Sequence, residues 1–574
     1  MKYPERQTVA PAGFPAPDLF HPWVEAQLAQ LSPEARIAQL LHVPAWSGRA
    51  PEHEAELAAL VRTFGIGGLI FFQGHPARQL EMTRRLQAAS QIPMLIGMDA
   101  EWGLAMRLDG TMPFPYAIAL GALEGPDAAA LIRAAGAAAG RQCRRIGVQI
   151  NYAPVADVNT HPANPVIGFR SFGAEPEAVA ACAAAFMEGL QSAGVLAVAK
   201  HFPGHGDTRQ DSHFALATVD HARERLDAVE LAPFRALIRA GIGGIMTGHL
   251  AVPALEPAPG LPATLSRRVV QALLREEMGF SGLIFSDALD MQGVAGRYSY
   301  AETIAGAAAA GHDALIFVRE VPQALEAVQA AVRQGALSWE EIELRCRRVL
   351  ACKQMLGLDR MAVPPLEGLE TDLDLPADQA LLAQISARNI TLLRGALAPL
   401  DPHAATAVIS VAAGVPQPDA ELAHHALDKG AGEGPPAAAF HADLTAALRA
   451  RCLQLYPDSS ADALAAAAAL LAESEQAVIS LHRVEPRPAR GFGLAPATLN
   501  QLNTLLSIRQ SVFCHFANPF ALERIGPLER CTAVLTSYLD SVQAERSMAQ
   551  VLLGRLPAAG RFPGSASALF RELS

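Results

Sequence analysis

Short apolar runs rich in β-branched and aromatic residues recur along the first 320 residues. They fall at residues 40–43, 66–72, 94–98, 148–152, 196–199, 243–247, 283–286 and 314–317. Each is the length of a strand, and each is apolar nearly throughout, as strands of a sheet covered on both faces are. Most are separated by Ala/Leu/Arg/Glu stretches whose apolar positions return every three or four residues, as in 126–141, 177–193 and 222–240. Eight β-α alternations over about 350 residues predict a (β/α)8 barrel with long loops. Residues 340–356 read as a closing helix ended by Gly357. The pattern then lapses over residues 359–378, which hold three prolines and several acids and read as an interdomain linker.

A second alternation follows, with strands predicted at 407–411, 453–456, 477–481, 512–516 and 533–537 and helices at 442–449, 461–473, 496–507 and 541–553. This predicts a doubly wound, mostly parallel sheet in an αβα sandwich. The expected domains are therefore residues 1–358, 359–378 as linker, and 379–574. The GAGEG at residues 430–434 follows no strand and opens no helix, so it is not read as a nucleotide fingerprint.

The length of 574 residues suits two such units. Hydrophobic residues make up 51% and charged residues 18%, which excludes a disordered chain. With 46 basic and 57 acidic residues the net charge is −11, and no basic block is present, so nucleic acid is not an expected partner. No apolar run reaches the ~18–20 residues of a membrane helix. The first 20 residues carry no apolar signal core, so a cytoplasmic location is expected, or a periplasmic or secreted one if a leader has been trimmed. Seven cysteines with no CxxC pattern read as buried thiols.

In a barrel of this kind the reactive groups stand at the carboxyl ends of the strands. Strand three runs into Asp99-Ala100-Glu101-Trp102, strand five into Lys200-His201 and the loop to Asp207, strand six into Thr247-Gly248-His249, and strand seven into Ser286-Asp287. A loop after strand four adds Arg170. Ionisable groups converging on one mouth are costly to bury unless they are used. Carboxylates that accept from hydroxyls, beside Arg and Lys that donate to them, suit a sugar.

The same residues carry a resemblance. KHFPGHGDT at residues 200–208 with DSH at 211–213, NPVIGFRSFG at 164–173 and FSDALDM at 285–291 resemble glycoside hydrolase family 3, in its β-N-acetylglucosaminidase branch. The match spans the first 358 residues. RNITLLR at 388–394 and LGRLPAAGRFPGS at 553–565 fit the family's second domain more loosely. The resemblance implies that Asp287 is the nucleophile, His213 the acid/base and Asp211 its partner. It also implies that Asp99, Arg170, Lys200 and His201 grip the terminal sugar. Where single-domain members have EGGRV, this chain has Glu101-Trp102-Gly103-Leu104-Ala105, with Arg107 close by.

The implied activity is a retaining exo-β-N-acetylglucosaminidase acting on peptidoglycan fragments or chitin oligosaccharides, with no cofactor. A carboxylate nucleophile and a second group that protonates the leaving oxygen are what such a reaction needs. A histidine, with a reference pKa of ~6.5, donates near neutrality with little tuning. A phosphorylase or a β-glucosidase or β-xylosidase of the same family are the alternatives, and a non-catalytic sugar-binding protein is a third. Glu101, His249 and Met246 are further candidates for sugar contact, although Glu101 could equally stand behind the sugar-binding residues and His249 reads also as a packed rim histidine. His205 and Asp207 read as braces of their loop, and Asp290 as a helix cap or surface acid. His201, His205, Asp207, Asp211 and His213 include metal-ligand types, but Lys200 in their midst would repel a cation, so no metal is expected. The second domain, with His482, Arg483 and Arg490 taken as facing the cleft, is expected to supply no essential catalytic residue.

Overall fold

A computed structural model describes Phe14 and residues 17–209, 216–360, 362–414 and 435–564. The eight predicted strands form, within a few residues of their expected positions: β1 Leu41–Ala45, β2 Gly68–Phe71, β3 Leu95–Met98, β4 Ile150–Asn151, β5 Leu196–Phe202, β6 Gly244–Thr247, β7 Leu283–Ser286 and β8 Leu315–Ile316. Neighbours in sequence are neighbours in space, and every pairing is parallel. The ring closes where Leu41 pairs with Leu315 and Phe285 bridges Ala314.

Closure sends alternate side chains inward. Leu40, Ile70, Leu95, Ile150, Val198, Met246, Phe285 and Ile316 form one buried cluster, joined by Val349, Cys352 and Leu356. Those last three belong to or follow the helix Trp339–Met355, which starts with a reciprocal Ser338/Glu341 capping box and is followed by Gly357 at φ 78°. The other strand face packs against the surrounding helices, with Val43, Leu69, Phe71, Ile96 and Met98 in a second cluster. All seven cysteines are free thiols. Among the described residues, no helix is long and apolar enough to cross a membrane.

The stretch expected as a linker contains the short helix Leu369–Leu373, whose two leucines are buried. Gln142 donates to the Leu373 carbonyl, and Arg145 pairs with Asp372, so this stretch lies on the barrel helix Ala128–Arg145.

The second domain has six strands: β9 Thr391–Gly395, β10 Thr406–Ala412, β11 Ala450–Leu455, β12 Gln476–His482, β13 Val512–His515 and β14 Ala533–Thr536. Their order is β9-β14-β13-β12-β10-β11, with β9 antiparallel and the rest parallel. Strand β9 was not among the predicted strands, and β11 starts three residues earlier than predicted. Both lie at sheet edges and are largely half-exposed, so neither shows the continuous apolar run of a central strand.

The carboxyl ends of β10 and β12 meet where the sheet's winding reverses, the usual ligand crevice of such folds. Here the chain fills it. Glu545 accepts the backbone N–H groups of Ala437, Ala439 and Phe440 at 2.9–3.1 Å, capping the helix Ala438–Ala447. His482 is fully buried, 3.0 Å from Ser480 Oγ, 3.3 Å from Asp540 and stacked on Phe516. It therefore does not face the cleft as expected. The GAGEG segment lies outside the described residues.

Candidate active site

The sequence places acids and bases beyond four strand ends and in the loop after the fourth strand; the fold joins Asp99, Glu101, Arg170, Lys200 and His201, with Arg107 and Asp157, into one hydrogen-bonded network. Lys200, on β5, reaches Asp99 Oδ1 and Glu101 Oε1, both at 2.7 Å. Arg107 takes the other oxygen of Asp99 at 2.7 Å. Arg170 forms a two-pronged pair with Glu101 at 3.0 and 2.8 Å. Three carboxylates, counting Asp157, thus face three cations, which is how a buried charged cluster remains tolerable.

The electrostatics follow from this. Burial by itself would raise the Glu101 carboxyl, but Arg170 and Lys200 more than offset it and hold it at about 2. The same contest, with Lys200 and Arg107 as the cations, leaves Asp99 well below the ordinary carboxylate range. Both acids are therefore acceptors only.

Asp157 was not singled out from the sequence. It is fully buried after β4, and its Oδ2 accepts the Nδ1–H of His201 at 2.7 Å. It also accepts the backbone N–H groups of His201 and His205. The donor-only guanidinium of Arg170 lies 3.4 Å from His201 Nε2. With Nδ1 committed as donor, Nε2 is the acceptor, which fixes the tautomer. The signal available in the sequence was an acid beyond the fourth strand; its partners 44 and 48 residues away gave none.

The loop that carries Arg170 is tied to the histidine loop by Asn164. Its Oδ1 accepts from the N–H groups of Val166 and Ile167, and its Nδ2 donates to the His205 carbonyl. His205 is buried, with Nδ1 2.7 Å from Thr208 Oγ1; burial and the nearby His201 push its pKa down to about 4. Asp207 pairs with His221 at 2.6 Å, and Arg225 takes Glu230 at 2.5–2.6 Å within 4.0 Å of Asp207. Asp207, His221 and Glu230 lie close enough to share an ion, but the Arg225 guanidinium already serves as their cation.

Asp287 stands half-buried immediately after β7. Its N–H donates to the Thr247 carbonyl at 3.0 Å, and its Oδ1 accepts the N–H of Ala288 at 2.8 Å. His249 is fully buried behind it, donating Nε2–H to the Ala288 carbonyl, with Nδ1 2.9 Å from Thr264 Oγ1. That places His249 as a support for the peptide that follows Ala288, one residue beyond Asp287. Met246 lies in the barrel's inner cluster. Asp290 neither caps the next helix, whose cap Met291 has no side-chain bond, nor stands alone in solvent; it pairs with Arg319 at 2.8 Å. Asp211 and His213 lie outside the described residues.

Trp102, in the segment that departs from EGGRV, is buried in an aromatic group with Tyr116 and Phe169, at ring separations of 4.8–5.9 Å. These rings belong to one apolar cluster with Val484, Phe492, Leu494 and Phe520 of the second domain.

The family model for the glycosyl hydrolase family 3 N-terminal domain matches residues 32–352. A protein named β-N-acetylglucosaminidase/β-glucosidase from Cellulomonas fimi is 30% identical over 380 residues, 65% of this chain and 66% of that one. β-Hexosaminidase A of Pseudoalteromonas piscicida is 28% identical over 559 residues, 88% of this chain and 90% of that one. The solved structure of a family 3 β-N-acetylglucosaminidase from Paenibacillus sp. str. FPU-7 superposes with a TM-score of 0.78 at 30% identity, covering 93% of this chain and 99% of that one. With its barrel, its second αβα domain and its charged network at the strand ends, the chain belongs to glycoside hydrolase family 3.

Proposed function

We propose that the protein is a hydrolase that releases terminal β-linked N-acetylglucosamine from oligosaccharides, through a covalent intermediate on Asp287. The observation that carries this reading is the buried network of Asp99, Glu101, Arg170, Lys200 and His201 on the same barrel mouth as Asp287. The names of the Pseudoalteromonas and Paenibacillus relatives support the choice of sugar.

In this reading the network holds the hydroxyls of the outermost sugar, with carboxylates accepting and Lys200 and the arginines donating. Fixed charges in a water-poor pocket need no reorganisation when the oxocarbenium-like transition state forms. Asp287 attacks the anomeric carbon while the leaving oxygen takes a proton from His213; Asp211 supports the charged imidazole. Water then hydrolyses the ester with His213 as base. A neutral histidine base does not repel an anionic acceptor as a carboxylate would, so phosphate is tested beside water.

The experiment is a panel of aryl glycosides: N-acetylglucosaminide, N-acetylgalactosaminide, glucoside and xyloside, each with and without phosphate. The reading requires fastest turnover on the N-acetylglucosaminide with free N-acetylglucosamine as product. A preference for glucoside, or sugar 1-phosphate appearing only with phosphate, would overturn it. Peptidoglycan fragments and chitin oligosaccharides, compared by kcat/KM, decide the natural class.

A further inference from the structure

The two residues that make the salt bridge under the proposed sugar site each have an immediate neighbour planted in the second domain. Trp102 follows Glu101, Phe169 precedes Arg170, and both rings are buried in the cluster that contains Val484, Phe492, Leu494 and Phe520. The loop of Arg170 is held a second time further on. Ala174 donates its N–H to the Pro563 carbonyl at 3.0 Å, and a Cβ on Gly173 would stand 2.7 Å from that same oxygen. Beside it, Arg561 donates to the Ala122 carbonyl at 2.9 Å. Second-domain chain thus presses on both ends of the short segment that carries Arg170.

We infer that the second domain sets the geometry of the Glu101–Arg170 pair, with Trp102 and Phe169 as positioning residues that touch no substrate. The inference rests on the proposal that this pair binds the sugar. Its physical basis is the stiffness of close-packed aromatic cores, which transmit displacement rather than absorb it. Both ring-bearing residues are one peptide away from a charged side chain, so a shift of the seat moves the charge. The indole N–H of Trp102 is buried without a hydrogen-bond partner among the described residues. Its shape is therefore what the seat uses, and phenylalanine should serve in part.

The test is steady-state kinetics on the aryl N-acetylglucosaminide with the full chain, together with Ki for N-acetylglucosamine as competitive inhibitor. Phe492→Ala, on the second-domain side, and Trp102→Ala should each raise KM and Ki about tenfold while kcat changes less, the signature of lost uniform binding. Trp102→Phe should recover most of the loss. Met548→Ala is the control: it removes a buried side chain from the opposite face of the same sheet and should lower the melting temperature without moving KM or Ki. Unchanged KM and Ki in folded Phe492→Ala and Trp102→Ala would overturn the inference, as would an equal rise in Met548→Ala. Arg170→Met separates the two ideas. If it too leaves KM and Ki unmoved, the sugar-site reading has failed; if it raises both while the seat variants do not, only the inference has failed.

Discussion

His201 gives its Nδ1–H to a fully buried carboxylate, Asp157, at 2.7 Å, and so presents Nε2 as an acceptor. The pair fixes which edge of the imidazole looks toward Arg170. Asp157→Asn keeps the shape but puts an amide where the ring donor points. We expect it to flip or reprotonate the ring and to cut kcat/KM on the N-acetylglucosaminide by about 10–100-fold, as loss of an orienting partner does elsewhere. The check is kcat/KM together with histidine NMR tautomer signals; an unchanged tautomer with unchanged rate would count against it.

Asp287→Asn should fold and lose turnover. Covalent catalysis has no replacement for the missing carboxylate, and the loss should run to several powers of ten. A folded variant with more than about a tenth of the wild-type kcat would reject Asp287 as the nucleophile, since each tenfold is only ~1.4 kcal/mol.

His213→Ala should discriminate among leaving groups. A nitrophenolate departs with little protonation, so glycosylation of an activated aryl substrate should fall little, whereas a natural disaccharide should fall by about 100-fold or more. Asp211→Ala should show the same pattern more weakly. Loss that is equal on both substrates would mark His213 as structural.

Acid should unfold the protein in two overlapping stages. His205, His312 and His441 sit at about 4 and His42 and His515 at about 3, each chiefly through burial. Their folded values lie below the unfolded value of ~6.5, so the stability of keeping them neutral is complete above ~6.5 and declines as pH falls toward 4 and below. Glu101, held at about 2, contributes stability that is complete above the unfolded value of ~4.3 and is lost as pH drops through 2. Melting temperature against pH should show both. Glu101→Gln should lower stability at neutral pH by about 3–5 kcal/mol, because it leaves the buried Arg170 without the carboxylate of its two-pronged pair while Lys200 keeps only Asp99, and should flatten the lower limb.

Lys353 is a buried amine at the closed end of the barrel, pushed down to about 7 chiefly by burial and bonded to Gln39 Oε1 at 2.6 Å. Its folded value lies below the unfolded ~10.4, so this group penalises folding near neutrality and ceases to do so above ~10.4. Lys353→Met should therefore raise the melting temperature at pH 7, and the gain should shrink as pH rises toward 10. A gain that does not depend on pH would mean the amine is not the cause.

How much of this was readable beforehand depends on burial. The barrel strands are covered on both faces, so their apolar runs stand out; β9 and β11 are half-exposed edges and carry no such signature. Asp99, Glu101, Lys200 and His201 could be picked out because they lie at or just beyond the carboxyl ends of predicted strands, and Arg170 because it sits in the NPVIGFRSFG loop that carries the family resemblance. Asp157 could not, because its role comes from contacts made only after β4 and β5 pair. His249 at its strand end left two readings, a sugar contact or a packed rim histidine; both of its ring nitrogens face protein atoms, as the second reading has it. Trp102 stood out in the sequence only as part of the departure from EGGRV; its packing against the second domain, through residues far along the chain such as Phe492, left no local signal.

The carboxylate of Glu545 has a consequence for what the second domain can become. Its sheet has the winding of a nucleotide-binding fold, and the crevice at its reversal offers the N-terminus of the helix Ala438–Ala447, where an anion would bind. That place is taken by a ligand covalently part of the chain, bonded to three backbone N–H groups. A tethered group acts at an effective concentration of about millimolar or above. A dissolved phosphate would have to outcompete it at every encounter, so the domain keeps the topology of a nucleotide binder while holding its own anion in the seat.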